Sequence, residues 1–343
     1  MQDYVHLHVH TQYSLLDGQS KIPNIVNKAV ANGMRGMAIT DHGNMMGVKE
    51  LADYIAKIKG DAKKDLAKLE EELKEADEKR KKEIEDNIEY QHRILAFKPI
   101  FGCEMYVAHN KKEDKIKENG DASGYHLIVL AKNYNGYKNL IKLVSRAWVD
   151  GLYYKPRTDR ADLEKFHEDL IVSSACIAGE VPAKILKGDM DGAREAIEWY
   201  KRVFGDDYYL ELQRHEVKDP DILANRETFP LQQKANAELI KLAKEYGIKL
   251  ICTNDCHFEN KETAEAHDHL LCLATGKDLN DPTRMRYSKQ EWFKTREEMN
   301  EVFADIPEAL SNTCEVCDKV SEYSIDHGPI MPFFPIPEEF GTE

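Results

Sequence analysis

Apolar residues along this chain come in two rhythms. Short β-branched runs bounded by turn residues lie at residues 4–9, 36–40, 100–104, 126–131, 170–175 and 249–253. Between several of them lie longer stretches with helical spacing, at residues 22–32, 137–148, 193–204 and 231–246. Alternation of this kind predicts βα units, a largely parallel sheet and closure into a barrel. The helix at 22–32 is expected to start on Ser20 as cap, to tolerate Pro23 in its first turn and to end at Gly33. Gly247 is a suitable stop for the helix before it.

Two regions depart from this rhythm. Residues 57–93 become rich in Lys, Glu and Leu, with apolar positions at Leu66, Leu69, Leu73, Ile84 and Ile88. That spacing predicts a long helix or a helical pair projecting from the body, with its phase broken at residues 77–82. Beyond Phe258 the pattern turns to helices and loops, and residues 328–337 are Pro-rich, which suits an extended linker. The expected organisation is a domain over 1–270 carrying the charged helical insertion, then a small, mainly helical extension over 271–343.

Composition narrows the class. An apolar fraction of 42% in 343 residues can bury a sizeable core, and no window is apolar enough for a membrane span. The start carries no signal-peptide pattern, so a cytoplasmic location is expected, and seven scattered cysteines suit free or metal-binding thiols. The net charge of -14 excludes nucleic-acid binding by bulk electrostatics but leaves a nucleic-acid substrate open, because bound cations supply local positive charge.

The chemistry lies near strand ends. His8 and His10, two apart on a strand, share a face and can serve one ion. Asp17 follows the first run, Asp41 and His42 the second, and Asp255, Cys256 and His257 the last. In an α/β barrel the loops leaving the C-terminal strand ends meet on one face. Glu104 is a carboxylate where a core residue belongs, and one carboxylate can bridge two ions about 3.5 to 4 Å apart. His126 fits less simply, since it precedes its apolar run, and Cys176 suits a small buried hydrophobe as well as a ligand. An imidazole with a thiolate favours zinc or another borderline metal.

Other candidates carry less. Cys314 and Cys317 lack a second ligand pair at zinc-finger spacing, so free thiols are expected. His267 and His269 diverge on a helix and are read as packing or capping residues. There is no phosphate-cradling P-loop, no nucleophile elbow and no dinucleotide fingerprint.

The segment Tyr4 to Thr11 followed by Tyr13 to Gly18 resembles the opening of the polymerase and histidinol phosphatase (PHP) domain that begins the catalytic alpha subunit of bacterial DNA polymerase III. The likeness continues through Thr40 to Asn44, Ala131 to Asn133, Ser173 to Glu180 and Thr253 to His257. It implies a distorted seven-stranded (β/α) barrel of PHP type, with nine ligands: His8, His10, Asp17, His42, Glu104, His126, Cys176, Asp255 and His257. Three divalent ions are implied, Zn2+ first, with Mn2+ or Fe2+ as alternatives. One would take His8, His10, Glu104 and Asp255, the second Glu104, His126 and Cys176, and the third Asp17, His42 and His257.

By the same resemblance the chain is the N-terminal part of a replicative polymerase, without the polymerase carboxylates. Its expected activity is phosphoester hydrolysis, as a 3'-to-5' proofreading exonuclease on a DNA primer end. Glu104 would bridge the ions, and Asp255 or His257 would move protons. DNA, a proofreading subunit and a sliding clamp are the implied partners, reached through the full-length protein. Two other readings stay open: a metal-stabilised scaffold without turnover, and a small-molecule phosphatase of histidinol-phosphatase type.

Overall fold

The computed structural model describes residues 1–117, 123–216 and 227–332. Eight strands form among the described residues: β1 (Gly36–Ile39), β2 (Lys98–Val107), β3 (Tyr125–Ala131), β4 (Leu152–Tyr153), β5 (Lys155–Thr158), β6 (Leu170–Ser173), β7 (Tyr208–Gln213) and β8 (Leu250–Thr253). They pair in the order β4-β5-β2-β3-β6-β7-β8, and β1 lies beside the first half of β2.

The expected strand at 4–9 is an extended segment whose bonds are shared between two neighbours. The amides of Ala38 and Thr40 donate to the carbonyls of His6 and Val9, both at 2.8 Å. On the other side the His10 amide donates to Cys256 O at 2.7 Å and the Cys256 amide to His8 O at 3.2 Å. This stitching joins β1 to the chain leaving β8. The segment and β1, β2, β3, β6, β7 and β8 therefore curl into a distorted barrel of seven members, with the β4-β5 hairpin on the rim of β2.

The sheet is mixed rather than parallel, because β3 runs antiparallel to both β2 and β6. Its connection from β2 carries no α-helix among the described residues, and parallel neighbours need a crossover that a loop does not supply. Strand β7 and the β4-β5 hairpin go beyond the apolar runs. In β7 the alternation of Tyr209, Glu211 and Gln213 with Tyr208, Leu210 and Leu212 suggests a wet face, yet all six residues are buried.

Helices α1 (Ile22–Ala31), α2 (Val48–Glu75), α3 (Glu78–Ala96), α4 (Tyr134–Val149), α5 (Arg160–Lys165), α6 (Glu180–Lys187) and α7 (Met190–Phe204) surround the sheet. Ser20 does not cap α1, since Lys21 occupies that position without a side-chain bond, whereas Pro23 and Gly33 behave as expected. The charged tract is a helical pair, α2 with α3, and it reaches further than its charged residues. Val48, Leu51 and Ile55 root α2 in the body, while further out only Ala62 and Ile84 are buried. The break falls at Ala76 and Asp77, where the Asp77 carboxylate accepts from the Arg80 amide at 2.9 Å and caps α3.

Helix α8 (Thr228–Tyr246) ends on left-handed Gly247. Beyond it come α9 (Ala264–Thr275), α10 (Arg296–Val302) and α11 (Pro307–Lys319). No helix among the described residues is long and apolar enough to cross a membrane. Residues 328–332 of the Pro-rich end form no regular element, and 333–337 lie outside the described residues.

Two large apolar clusters hold the fold, with a small third one of Phe258, Ala264 and Trp292. The larger lies between the sheet and the helices. The smaller fills the barrel interior with Val5, Leu7, Ala38, Ile100, Ile128 and Ile251, and α11 covers it with Cys314, Val316 and Cys317. Thr313 Oγ1 of α11 also accepts from the Val5 amide at 3.0 Å. Each fully buried aliphatic side chain there stabilises by roughly 1.5–3 kcal/mol, so one barrel end is an apolar plug. Both thiols of the Cys-x-x-Cys are free and buried.

Candidate metal centre

The opposite barrel end collects the polar residues. His8 and His10 reach it from the N-terminal segment, while His6 is tied instead to the Lys294 carbonyl at 2.8 Å. Asp17 follows a turn through left-handed Leu16 (φ 60°), and Gly18 lets the chain pass where a Cβ would stand 2.0 Å from Thr11 O. His42 leaves β1, and its backbone bridges to Glu104 in β2. Cys176 follows left-handed Ala175 (φ 57°) after β6, and Asp255 is itself left-handed (φ 48°) after β8. Such backbone costs about 1 kcal/mol or more per residue and gathers at functional sites.

The direction of β3 accounts for His126. In an antiparallel strand the first residues lie at the end where parallel neighbours finish, so His126 opposite Tyr106 reaches the same face as the other loops.

All nine expected residues converge. His8 Nε2 lies 3.3 Å from Glu104 Oε1 and 3.0 Å from Asp255 Oδ1, and His10 Nε2 lies 3.6 Å from Glu104 Oε2 and 3.2 Å from Asp255 Oδ1. His42 stands between Glu104 Oε2 at 2.6 Å and Asp17 Oδ2 at 2.8 Å. His126 Nδ1 is 3.0 Å from Glu104 Oε1, with Cys176 Sγ 3.5 Å from that nitrogen. His257 Nε2 is 3.7 Å from Asp17 Oδ2. Glu104, 1% exposed, thus touches four imidazoles.

Only part of this proximity is hydrogen bonding, as between His42 Nε2 and Asp17 Oδ2 at 2.8 Å and between His126 Nδ1 and Glu104 Oε1 at 3.0 Å. His8 Nε2, His10 Nε2, Asp17 Oδ1, His42 Nδ1, Glu104 Oε2 and Asp255 Oδ1 are all buried without a hydrogen-bond partner. Each such atom costs about 1–3 kcal/mol when left unsatisfied, and lone pairs aimed at common points are what cations satisfy. Ligand atoms of His8, His10 and Asp255 lie within 4.8 Å of one another, as do those of Glu104, His126 and Cys176 and those of His10, His42 and His257. The donor set of nitrogen, oxygen and sulfur atoms therefore fits divalent ions. The third grouping contains His10 where the family resemblance implies Asp17.

Electrostatics point the same way. Burial opposes ionisation of Glu104 and Asp255, yet the surrounding imidazoles hold both carboxyls well below their ordinary range. Burial first, then His42 and His257, push His10 down to about 3, which keeps it neutral as a ligand must be. For His42 burial is outweighed by Glu104 and Asp17, and its value rises to about 10.

A second layer was not legible as ligands. His8 Nδ1 lies 2.7 Å from Glu211 Oε1, and the Ser173 and Thr253 hydroxyls donate to that carboxylate. Glu211 is a buried acid inside a strand, the same signal that marks Glu104. Ser14 Oγ sits 2.9 Å from His10 Nδ1 and donates to Asp41 Oδ1 at 2.7 Å, so Asp41 positions hydroxyls instead of joining the cluster. Tyr287 OH donates to Asp17 Oδ2 at 3.2 Å, and His267 Nε2 bonds the Asp17 carbonyl at 2.7 Å. A cleft of about 270 Å3 opens over His42, Glu104, His126, Cys176, Asp255 and His257.

Comparison with known proteins agrees with this geometry. The PHP domain model matches residues 6–215. The DNA polymerase III subunit alpha of Borreliella burgdorferi is 40% identical over 99% of this chain and 26% of the relative. Its counterpart in Campylobacter jejuni is 36% identical over 97% of this chain and 26% of the relative, and that of Thermus aquaticus 34% over 98% and 24%. The chain thus spans about a quarter of the length of the curated relatives it matches. With a barrel end built from these motifs, the chain belongs to the PHP domain family, in the branch found in bacterial DNA polymerase III alpha subunits.

Proposed function

We propose that this chain is a metal-dependent phosphoesterase domain that removes nucleotides from DNA 3' ends, within a longer polymerase subunit. The observation that carries the reading is the set of orphaned donor atoms on His8, His10, Asp17, His42, Glu104 and Asp255, gathered under one open cleft. These atoms lack a hydrogen-bond partner although they stand as close as 2.6 Å to one another, an arrangement that cations satisfy.

Divalent ions, when bound, would supply an activated water and neutralise the phosphate and leaving oxygen. Three ions, with zinc first and manganese or iron as alternatives, suit the imidazole, carboxylate and thiolate donors. The chain's own residues set the geometry. Glu104 presents oxygens on two sides, Oε1 towards His8 and His126 and Oε2 towards His10 and His42, as a bridging carboxylate must. His8, held by Glu211, and His10, held by Ser14, keep fixed ring orientations. His257 Nδ1 lies 2.8 Å from the Asp255 carbonyl, which leaves Nε2, 3.2 Å from Tyr287 OH, as the ring atom free to face an ion. The cleft is slightly smaller than the roughly 300–1,000 Å3 of typical small-ligand sites, which suits one phosphate with its sugar better than a duplex.

The test is hydrolysis of an end-labelled primer by purified protein, with chelator, after metal re-addition, and for His10→Ala. Chelator-sensitive shortening from the 3' end that His10→Ala lacks supports the reading. Metal retention without turnover would instead support the scaffold, and preference for free phosphomonoesters the small-molecule phosphatase.

A further inference from the structure

The proposed ligands are not supported alike. Behind His8 stands Glu211 of β7 and behind His10 stands Ser14, so residues of the barrel and its first loop fix both rings. Asp17 has weaker backing. It follows Leu15 and Leu16, which are exposed, and its Oδ1 is buried without a hydrogen-bond partner. Among the described residues, two groups lie within hydrogen-bond distance of its Oδ2: His42 Nε2 at 2.8 Å and the Tyr287 hydroxyl at 3.2 Å. The second of these comes from the C-terminal extension.

Tyr287 is anchored on both sides along the chain. Arg284 is clamped by Asp268 of α9 at 2.5 and 2.7 Å, and the Glu291 carbonyl accepts from the His257 amide at 2.8 Å. Between these anchors the Tyr287 ring meets His257 at 4.6 Å and His267 at 5.3 Å, and its hydroxyl lies 3.2 Å from His257 Nε2. His257 Nδ1 faces the Asp255 carbonyl, so in the neutral ring Nδ1 carries the proton and Nε2 presents a lone pair. The phenol thus has one proton and two acceptors. An ion among Asp17, His42 and His257 would take the lone pairs of both rings. His42 would then no longer donate to Asp17, His257 Nε2 would no longer accept, and the phenol proton would be committed to the Asp17 carboxylate.

We propose that Tyr287 is the positioning residue for the ion at Asp17, His42 and His257: its hydroxyl holds the Asp17 carboxylate in its ligating orientation, so the extension sets how firmly that one ion is held. The inference rests on the metal-dependent reading above and is independent of what the centre hydrolyses. Hydrogen-bond partners of metal ligands typically contribute about 10–100-fold in metal affinity. Among the described residues Tyr287 makes no hydrogen bond or ring contact with His8, His10, His126 or Cys176, so the effect is confined to one position.

The test is chelator competition on the zinc-loaded full chain, with retained zinc counted by elemental analysis, for wild type, Tyr287→Phe, Asp17→Asn and the double variant. Phenylalanine keeps the ring and removes only the hydroxyl. At chelator concentrations where wild type keeps its complement, Tyr287→Phe should lose one ion, which excess zinc restores with an affinity about 10–100-fold weaker. Asp17→Asn should lose one ion as well, and the double variant no more than Asp17→Asn alone, which places both effects at the same position. A Tyr287→Phe curve that overlays wild type overturns the proposal. So does a parallel weakening of every ion, a further ion lost in the double variant, or an Asp17→Asn count equal to wild type. A wild type that takes up no zinc sinks the metal reading and this inference with it. A wild type that holds zinc but leaves DNA ends intact sinks the phosphoesterase reading alone, and the zinc counts still decide the role of Tyr287.

Discussion

The two ends of the barrel are made by the same strands and have opposite chemistry. At one end Val5, Leu7, Ala38, Ile100 and Ile251 pack under α11 as an apolar cluster. At the other, the same N-terminal segment delivers His8 and His10, the same β2 delivers Glu104, and the chain leaving β8 delivers Asp255 and His257. The cysteines mirror the difference. Burial pushes both thiols up, Cys317 to about 12 and Cys176 well above its ordinary value, but Cys317 lies among apolar neighbours while Cys176 lies against His126 beside Glu104. One end stabilises the barrel, and the other holds unsatisfied groups that the stable end makes affordable.

This contrast can be broken from either side. The largest effect is expected at the polar end: Asp255→Asn should lower metal-dependent hydrolysis by more than about a hundredfold, beyond the 10–100-fold typical of outer-shell changes. Its melting temperature after chelation should stay near that of chelated wild type. At the plug, Ile100→Ala should cost about 2–5 kcal/mol in denaturant unfolding, with metal content per folded chain unchanged. A fall in metal content there would show that the two ends are coupled.

Smaller changes sharpen the boundary. Glu211→Gln keeps an acceptor for His8 Nδ1 but removes the charge, and should weaken metal affinity about 10–100-fold in chelator competition while the fold persists. The pH dependence has a defined sign. Protonated His42, with its value raised to about 10, must release its proton to bind a cation, so metal affinity should rise with pH up to that range. The slope should not exceed about tenfold per pH unit for each proton released. In the ion-free protein His42 acts in reverse: its stabilisation is full below its unfolded value near 6.5 and is lost as pH rises towards about 10. The least effect is expected far from both ends, where Asp77→Ala uncaps α3 and should cost about 1 kcal/mol without altering metal content or turnover.

Much of this was legible in residue spacing. His8 and His10 announce themselves by period two, and the charged tract declares a helical pair through its leucines and isoleucines. What escaped has physical causes. The strand at 4–9 is irregular because its hydrogen bonds are divided between β1 and the chain after β8, and spacing does not report partners. His126 looked misplaced because period and hydrophobicity are blind to strand direction, and the antiparallel β3 only emerges from pairing. Strand β7 was hidden because its polar residues mimic a solvent face, although Glu211 and Gln213 are buried.

The most direct test of the account is elemental analysis of the purified protein, since the polar end is intelligible only if cations fill it. The account predicts several divalent ions per wild-type chain, approaching three, and a clear fall in Glu104→Gln, whose bridging carboxylate is lost, with Asp77→Ala unchanged. A wild-type protein that takes up no divalent metal from a saturating buffer, or a Glu104→Gln variant that retains the full complement, would contradict it.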